Sequence, residues 1–276
     1  YIFADPEGGC MHALGLSYEH LPDNLKSCFL YLGAFPEDAE IPAWKLSCLW
    51  IAEGFVQNTD SKSLEDAAEY CLSELLSRSL VIVAKKRSNG KVKSFRIHDL
   101  LRTLCLKKAK EENFFQLIHG YKQLFSPSRE AEGLDYDADS NNSFSSTPLE
   151  YQDRRLCICS KRKLFSLLKP CGRQVRSLLF FASNEIYPRT PYDISFICQN
   201  FKLVRVLDVE SINMGDSFPI GLELLVQLKY LAVRGDVKSV PSSICKLWNL
   251  ETFLVKALRG EVLVPSSFLN MKRLRR

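Results

Sequence analysis

A short apolar pattern recurs through the second half of the chain, and it restricts the possible folds more than any other feature. Each full copy has an apolar residue, a leucine or phenylalanine three positions later, and a further apolar residue two positions after that. The four full copies are Val175-x-x-Leu178-x-Phe180, Val204-x-x-Leu207-x-Val209, Leu228-x-x-Leu231-x-Val233 and Leu250-x-x-Phe253-x-Val255. The two partial copies are Leu156-x-Ile158 and Met271-x-x-Leu274. Their shared leucine or phenylalanine positions, 156, 178, 207, 231, 253 and 274, are 22, 29, 24, 22 and 21 residues apart.

A period of about 20–29 residues with this pattern is typical of leucine-rich repeats. Each repeat supplies one short strand whose apolar side chains enter a core shared with the neighbouring repeats, so the units must stack. Residues 240–244 and 264–268 both read Val-Pro-Ser-Ser followed by an apolar residue, and they predict turns on the convex side. We therefore predict an α/β leucine-rich repeat solenoid over residues 154–276, with about five repeats, incomplete at the C-terminal end.

Charged residues lie between the apolar positions of these predicted strands. They are expected to line the concave face: Arg176, Asp208, Glu210, Lys229, Arg234, Glu251 and Lys256. Mixed charges on such a face suit recognition of another protein, or an intramolecular contact, and they equally suit simple solubility. The sequence does not choose between these roles for any single residue.

The first half of the chain begins with helical periodicity. Leu25, Phe29 and Leu32 follow Pro22 at helical spacing, which predicts a helix whose first residue is Pro22. A second helix is predicted over residues 42–54, with Trp44 and Trp50 in the core.

Further along, Ser63 is a good N-cap for a third helix that runs to about residue 78. Residues 80–84 and 91–97 then predict two strands joined by a turn at residues 88–90. Asp99 is expected to cap a further helix to about residue 110. Three helices, a hairpin and another helix describe a winged-helix domain, mostly α with a β-hairpin, over residues 1–118.

Polar and acidic residues without periodicity fill residues 126–153, so we predict a linker over residues 119–153. The predicted fold class is therefore multidomain α+β, a winged helix followed by the repeat solenoid.

The ten cysteines lie inside apolar runs without metal spacing, which favours a reduced cytosolic protein. No apolar run approaches the ~20 residues of a membrane span. The chain starts without Met or a signal-peptide pattern, and we expect it to be cut from a longer chain.

Several ordered motifs resemble those of plant NB-ARC leucine-rich-repeat disease resistance proteins. The matching segments are Leu16-Ser17-Tyr18-x-x-Leu21-Pro22, Cys28-Phe29-Leu30-Tyr31-Leu32-Gly33-Ala34-Phe35-Pro36-Glu37-Asp38, Leu49-Trp50-Ile51-Ala52-Glu53-Gly54-Phe55, Glu74-Leu75-Leu76-x-Arg78-Ser79-Leu80 and Ile97-His98-Asp99. The third segment is similar to the form found in the coiled-coil class, and the whole resembles late-blight-resistance-like proteins. The resemblance covers residues 14 to about 118 strongly, and the repeats by type.

The resemblance implies a fragment of an intracellular plant immune receptor. In that family, ADP clamped between the nucleotide-binding core and the winged helix keeps the receptor off. Recognition of a pathogen effector by the repeats leads to exchange for ATP, oligomerisation and a defence response. The implied partners are the upstream nucleotide-binding domain of the same chain and an effector or a host guard protein, and the implied location is the cytoplasm. The sequence contains no Gly-x-x-x-x-Gly-Lys-Ser/Thr phosphate loop, so ADP or ATP is expected in the full-length protein but not on this fragment alone.

Residues 97–99 resemble the Met-His-Asp switch motif of the family, with Ile97 in place of methionine. The resemblance implies that His98 binds the β-phosphate of ADP, for which an imidazole N–H is a suitable donor. The alternative is a histidine packed at a strand-to-helix junction. Asp99 is expected to cap the next helix, and the resemblance adds a role in keeping the off state locked.

Other functions remain as alternatives. The predicted wing carries basic residues that could contact DNA phosphates: Lys85, Lys86, Arg87, Lys91 and Lys93. The preceding helix is acidic, however, so a solvated hairpin is favoured and nucleic acid is not expected to be the main partner. A truncated regulator or decoy without switch activity is a second alternative. No convincing catalytic set or metal cluster occurs among the four histidines, so neither an enzyme nor a metal site is predicted.

Overall fold

The computed structural model describes residues 6–57, 63–119, 153–160, 172–182 and 191–275. The chain forms two compact units. The first comprises residues 1–116, 251–253 and 274–276, and the second comprises residues 117–250 and 254–273. Most of the predicted linker, residues 120–152, lies outside the described residues.

The first unit contains five helices and a small sheet within its described residues. The helices are α1 (Pro6–Glu19), α2 (Asp23–Leu32), α3 (Ala43–Glu53), α4 (Leu64–Ser77) and α5 (Asp99–Glu111). The strands are β1 (Ile41–Pro42), β2 (Ile82–Lys86) and β3 (Val92–Arg96). They form an antiparallel sheet in the order β1-β3-β2. This arrangement agrees with the predicted winged helix.

Local signals set the helix ends. Ser63 caps α4 with a capping box: its hydroxyl accepts from the Asp66 N–H at 3.1 Å, and its own N–H donates to the Asp66 carboxylate at 3.3 Å. Gly54 ends α3 in the left-handed conformation with φ of 80°, which glycine adopts without strain. Pro22 is the N-cap of α2 and not its first residue, because its ψ of 148° is extended.

The wing differs from the prediction at its start. Leu80 and Val81 are buried beyond the end of α4, and the pairing of the hairpin begins only at Ile82, opposite Arg96. The turn closes with the Gly90 N–H donating to the Arg87 carbonyl at 3.0 Å. Gly90 has a φ of 80°, whereas Asn89 is not among the positive-φ residues. Gly90 alone therefore supplies the left-handed residue that this turn requires.

Aromatic rings from three segments pack together in the first unit. The Tyr31 ring of α2 meets the Phe55 ring edge-on, with centroids 5.5 Å apart, and Phe55 continues to Phe114 at 5.7 Å. Trp50 is fully buried, as predicted. Trp44 is only half-buried and lines a cleft of about 650 Å³ with basic wing residues, so its predicted core position is wrong. Trp44 is the second residue of α3, which directly follows the short strand β1.

A six-stranded sheet in chain order β4-β5-β6-β7-β8-β9 dominates the second unit. Its strands are β4 (Gln116–His119), β5 (Arg155–Ser160), β6 (Ser177–Ala182), β7 (Val206–Asn213), β8 (Tyr230–Gly235) and β9 (Thr252–Ala257). A short helix, α6 (Ser195–Asn200), precedes β7, and 3-10 helices cover Leu222–Leu224, Ser242–Lys246 and Ser266–Asn270. The strand β4 was not predicted.

The register of this sheet pairs the repeated leucines. Leu156 lies opposite Leu178, Leu178 opposite Leu207, and Leu207 opposite Leu231, all across parallel strand pairs. All four side chains have 0% exposure, so they form one continuous apolar column. The sequence alignment of these four positions therefore corresponds to their spatial alignment.

None of the helices in the described part of the chain has the length and apolarity that crossing a bilayer requires.

Candidate phosphate-binding site at the start of α5

The junction between β3 and α5 carries the residues of the predicted switch motif. Ile97 follows β3 and is buried at 6% exposure, so it anchors the junction in the core. His98 and Asp99 come next, and their side chains are 53% and 62% exposed. The junction therefore presents two polar side chains to the surface on a fixed backbone.

The helix cap is His98, and the prediction that Asp99 caps α5 is wrong. His98 has an extended backbone with ψ of 145°, and its Nδ1 accepts from the Leu100 N–H at 3.3 Å. Asp99 is the first helical residue, and its Oδ1 also accepts from the Leu100 N–H, at 2.6 Å. The carboxylate thus lies in the first turn, where the helix dipole favours negative charge.

The two side chains also contact each other, through Nδ1 of His98 and Oδ1 of Asp99. An unprotonated Nδ1 accepts from Leu100, whereas a protonated Nδ1 donates to Asp99. Nε2 carries the hydrogen in a neutral ring whose Nδ1 is unprotonated. It also carries a hydrogen in the charged ring. The helix cap uses only Nδ1, so Nε2 of His98 lies outside the cap and can donate whenever it carries the hydrogen.

Two contacts hold α5 against α2 and against the residues that follow α2. The Arg102 guanidinium donates from Nε to the Phe35 carbonyl at 2.8 Å, and the Cys105 thiol donates to the Phe29 carbonyl at 3.3 Å. Burial raises the pKa of the Cys105 thiol, which keeps the proton that this bond needs. Phe29 and Phe35 belong to the long second motif of the resemblance, so that motif positions the helix that begins with residues 97–99.

The predicted concave-face residues divide by burial. Arg176, Glu210 and Lys229 are half-exposed, and Lys256 is exposed and pairs with Glu210 at 3.3 Å. Asp208, Arg234 and Glu251 are buried at 2%, 1% and 8% exposure, so they cannot belong to an exposed recognition face. That part of the prediction is wrong.

Arg234 shows why the prediction failed. Its guanidinium donates from Nη2 to the Ser211 carbonyl at 3.4 Å. Its strand position lies opposite Asn213, where β7 carries an irregularity in its pairing with β8. The next residue, Gly235, lies so close to the Gly215 backbone that an added β-carbon would be 2.5 Å from the Gly215 carbonyl oxygen. The Arg234 side chain therefore contacts the backbone of β7 and is buried, which alternation along one strand could not reveal.

The basic wing is partly neutralised. Lys85 binds Glu40 at 2.7 Å and Lys91 binds Glu69 at 3.0 Å. The Lys85 ammonium and the Ser94 hydroxyl hold the pKa of the Glu40 carboxyl below its usual value. Two of the five wing cations are therefore paired with carboxylates, which reduces the positive charge of the wing.

A family model of the disease resistance protein winged helix domain matches residues 34–105. This range contains the wing, the junction at residues 97–99 and the part of α5 that contacts α2. Together with the observed fold, the match defines a winged-helix domain of the disease resistance protein class.

Closely similar sequences extend the comparison over most of the chain. A putative late blight resistance protein homolog R1B-16 of Solanum demissum is 37% identical over 264 residues, which is 94% of this chain and 18% of the relative. The homolog R1B-23 is 37% identical over 264 residues, and the late blight resistance protein R1-A is 36% identical over 270 residues, both from the same plant. Over 94% of its length the chain is thus similar to late blight resistance proteins, and it spans about a fifth of their length.

Proposed function

We propose that this chain is part of a plant intracellular immune receptor of the NB-ARC leucine-rich-repeat type. In the off state its winged helix would hold ADP through His98, and its repeats would sense a pathogen effector or a host guard protein, or maintain autoinhibition. The single observation that carries the proposal is the junction at residues 97–99, inside the disease resistance winged-helix match. There His98 presents a ring nitrogen that the helix cap does not use, on a half-exposed side chain.

The repeat solenoid belongs to the same proposal. The apolar column of Leu156, Leu178, Leu207 and Leu231 supports it, because stacked repeats share such a core across consecutive parallel strands. The relatives, named as late blight resistance proteins, support a role in plant defence.

In this proposal the upstream nucleotide-binding domain of the same protein supplies the other side of the ADP clamp. The protein acts in the cytoplasm as a binding and signalling module without enzymatic chemistry in this segment, and it oligomerises when active. A truncated regulator or decoy is the alternative if the complete protein lacks an intact phosphate loop.

Asp99→Val in the full-length receptor tests the proposal. Valine removes the carboxylate that contacts both His98 Nδ1 and the Leu100 N–H, so the His98 ring loses one of the groups that orient it. The off state should lose about 2–3 kcal/mol, which is roughly 30- to 150-fold in population. We expect effector-independent cell death in leaf tissue at a protein level equal to wild type.

Asp23→Val is the matched control, because Asp23 is also an exposed aspartate that begins a helix, α2. The control should cause no more effector-independent cell death than the wild-type receptor. If an Asp99→Val receptor with an intact phosphate loop causes no more cell death than wild type, residues 97–99 do not lock the off state.

A further inference from the structure

Three arginines occupy equivalent positions on consecutive rungs of the second unit. They are Arg154, Arg176 and Arg205, each immediately before the first paired residue of β5, β6 or β7. The Arg176 N–H donates to the Arg154 carbonyl at 2.7 Å, and the Arg205 N–H donates to the Arg176 carbonyl at 2.6 Å. These three residues, here called the arginine ladder, are therefore in register at the separation of neighbouring strands, about 4.8 Å.

The fold itself provides little compensation for these charges. Among the described residues, none of the three guanidinium groups forms an ion pair. The acidic residues of β7 are engaged elsewhere: Asp208 accepts from the Glu210 N–H at 3.2 Å, and Glu210 pairs with Lys256. Repulsion from Arg205, together with partial burial and the charges of Arg154 and Arg155, lowers the pKa of the Arg176 guanidinium. The ladder is thus a site of uncompensated positive charge that the sheet register imposes.

We propose that the arginine ladder is a binding site for a ligand that carries several neighbouring phosphate groups. Guanidinium groups form two parallel hydrogen bonds with phosphate oxygens, and they stay charged at any physiological pH. A ligand with closely spaced phosphates places negative charge opposite each rung and removes the repulsion between the arginines. Lys229 continues the row on the next rung, where its N–H donates to the Arg205 carbonyl at 2.8 Å.

The spacing favours phosphates over an extended acidic peptide. Side chains on one face of an extended peptide are about 7 Å apart, since the rise is about 3.3–3.4 Å per residue and alternate residues share a face. Carboxylates about 7 Å apart cannot each lie opposite one arginine, because the arginines are on strands about 4.8 Å apart. Neighbouring groups of a polyphosphate are closer and can follow the ladder.

Calorimetric titration of the whole chain with tripolyphosphate tests the proposal. We expect binding to the wild-type protein that weakens with added salt. Arg176→Ala should weaken it about tenfold or more, and the double variant Arg176→Ala/Arg205→Ala about a hundredfold. Arg176→Lys should recover only part of the loss, because an ammonium keeps the charge without the planar fork. Arg259→Ala is the matched control: Arg259 is an exposed arginine of the same unit, beside Asp236 at 3.8 Å, and its loss should leave binding unchanged.

Thermal unfolding without ligand supplies a second readout. Removing one member of a repelling row should leave the protein at least as stable at low salt, so Arg176→Gln should not lower the Tm. Tripolyphosphate should raise the Tm of the wild type more than that of the variant. A lower Tm of the ligand-free Arg176→Gln protein would show that the guanidinium stabilises the fold directly, and would overturn the proposal.

Two further arms distinguish the sources of such a ligand. Vesicles of phosphatidylcholine containing a phosphatidylinositol bisphosphate present the phosphates on a membrane, and tripolyphosphate presents them free in solution. Arginine-dependent binding in either arm supports the site and identifies its source. No binding in both arms, binding that the double variant retains, or equally tight binding of a polyglutamate peptide would overturn the proposal.

Discussion

Gly33 lies directly against Cys105, so that a β-carbon built on Gly33 would be 2.7 Å from the Cys105 β-carbon and 3.3 Å from the Leu30 carbonyl oxygen. This approach brings the end of α2 to the middle of α5, the helix that begins with the His98 and Asp99 pair. Gly33 has an ordinary helical φ of −61°, so the requirement for glycine is one of space and not of backbone conformation.

Gly33→Ala should therefore destabilise the first unit, by about 1–3 kcal/mol, because α2 and α5 must separate to admit the methyl group. Gly15→Ala is the control within α1, where an added β-carbon meets nothing within 4 Å. It should stabilise the helix by about 0.5–1 kcal/mol. Urea unfolding of both variants gives the two free energies. A Gly33→Ala protein as stable as wild type would contradict the close packing of α2 on α5.

Leu207 provides a test of the repeat core in the second unit. Its side chain has 0% exposure and lies between Leu178 and Leu231 in the apolar column. Leu207→Ala should cost about 2–5 kcal/mol, since the neighbouring rungs cannot close the cavity fully. Leu203→Ala makes the same change four residues earlier, at 46% exposure, and should stay within about 0.5 kcal/mol of wild type. Similar unfolding free energies for the two variants would exclude the column.

Glu40 should make the stability of the first unit depend on acid pH. Its carboxylate accepts from Lys85 Nζ at 2.7 Å and from Ser94 Oγ at 2.5 Å, and these contacts lower its pKa below the ordinary value of 4.5. The folded state therefore binds the proton less tightly than the unfolded state. The stabilisation is complete above the ordinary pKa and is lost as the pH falls through the lowered one.

Glu40→Gln should thus be less stable than wild type at pH 7, and the difference should disappear as the pH falls well below 4.5. Glu37→Gln, an exposed change three residues earlier, should show no such pH-dependent difference. Tm measurements across pH 2–7 compare the three proteins. If the Tm of Glu40→Gln stays below that of wild type by the same amount at the lowest pH, the ion pair is not the source of the difference.

Local signals in the sequence were sufficient for the helices α2 to α5 and for the repeat positions, whereas α1 and α6 were not predicted. Helical spacing located α2 and α3, the Ser63 cap located α4, and the recurring leucines gave the parallel register at four positions. These features depend on nearby residues or on a periodic pattern, which a single sequence displays directly.

The features that depend on backbone conformation or distant neighbours could not be obtained in this way. Asp99 has the residue type of a helix cap, but the extended backbone ends one residue earlier, so His98 takes that position. Alternation along the strand predicts that Arg234 is exposed, yet its side chain is buried and contacts the Ser211 carbonyl of the neighbouring strand. Arg154 and Arg205 were not singled out, since intervals of 22 and 29 residues hide their alignment until the strands are paired.

The most direct test of the proposed switch is the ADP content of the full-length receptor with His98→Ala. The structure leaves Nε2 of His98 outside the helix cap, and a hydrogen bond donated from this nitrogen to a charged phosphate is worth about 1.5–3 kcal/mol. Wild-type receptor purified without added nucleotide should retain ADP, and His98→Ala should bind it about 10- to 100-fold more weakly and lose most of it on dilution. His20→Ala is the control, because His20 is an exposed histidine that directly follows α1. This variant should retain ADP like wild type. Equal ADP retention in all three proteins, measured by chromatography of the released nucleotide, would contradict the assignment of His98 to the phosphate.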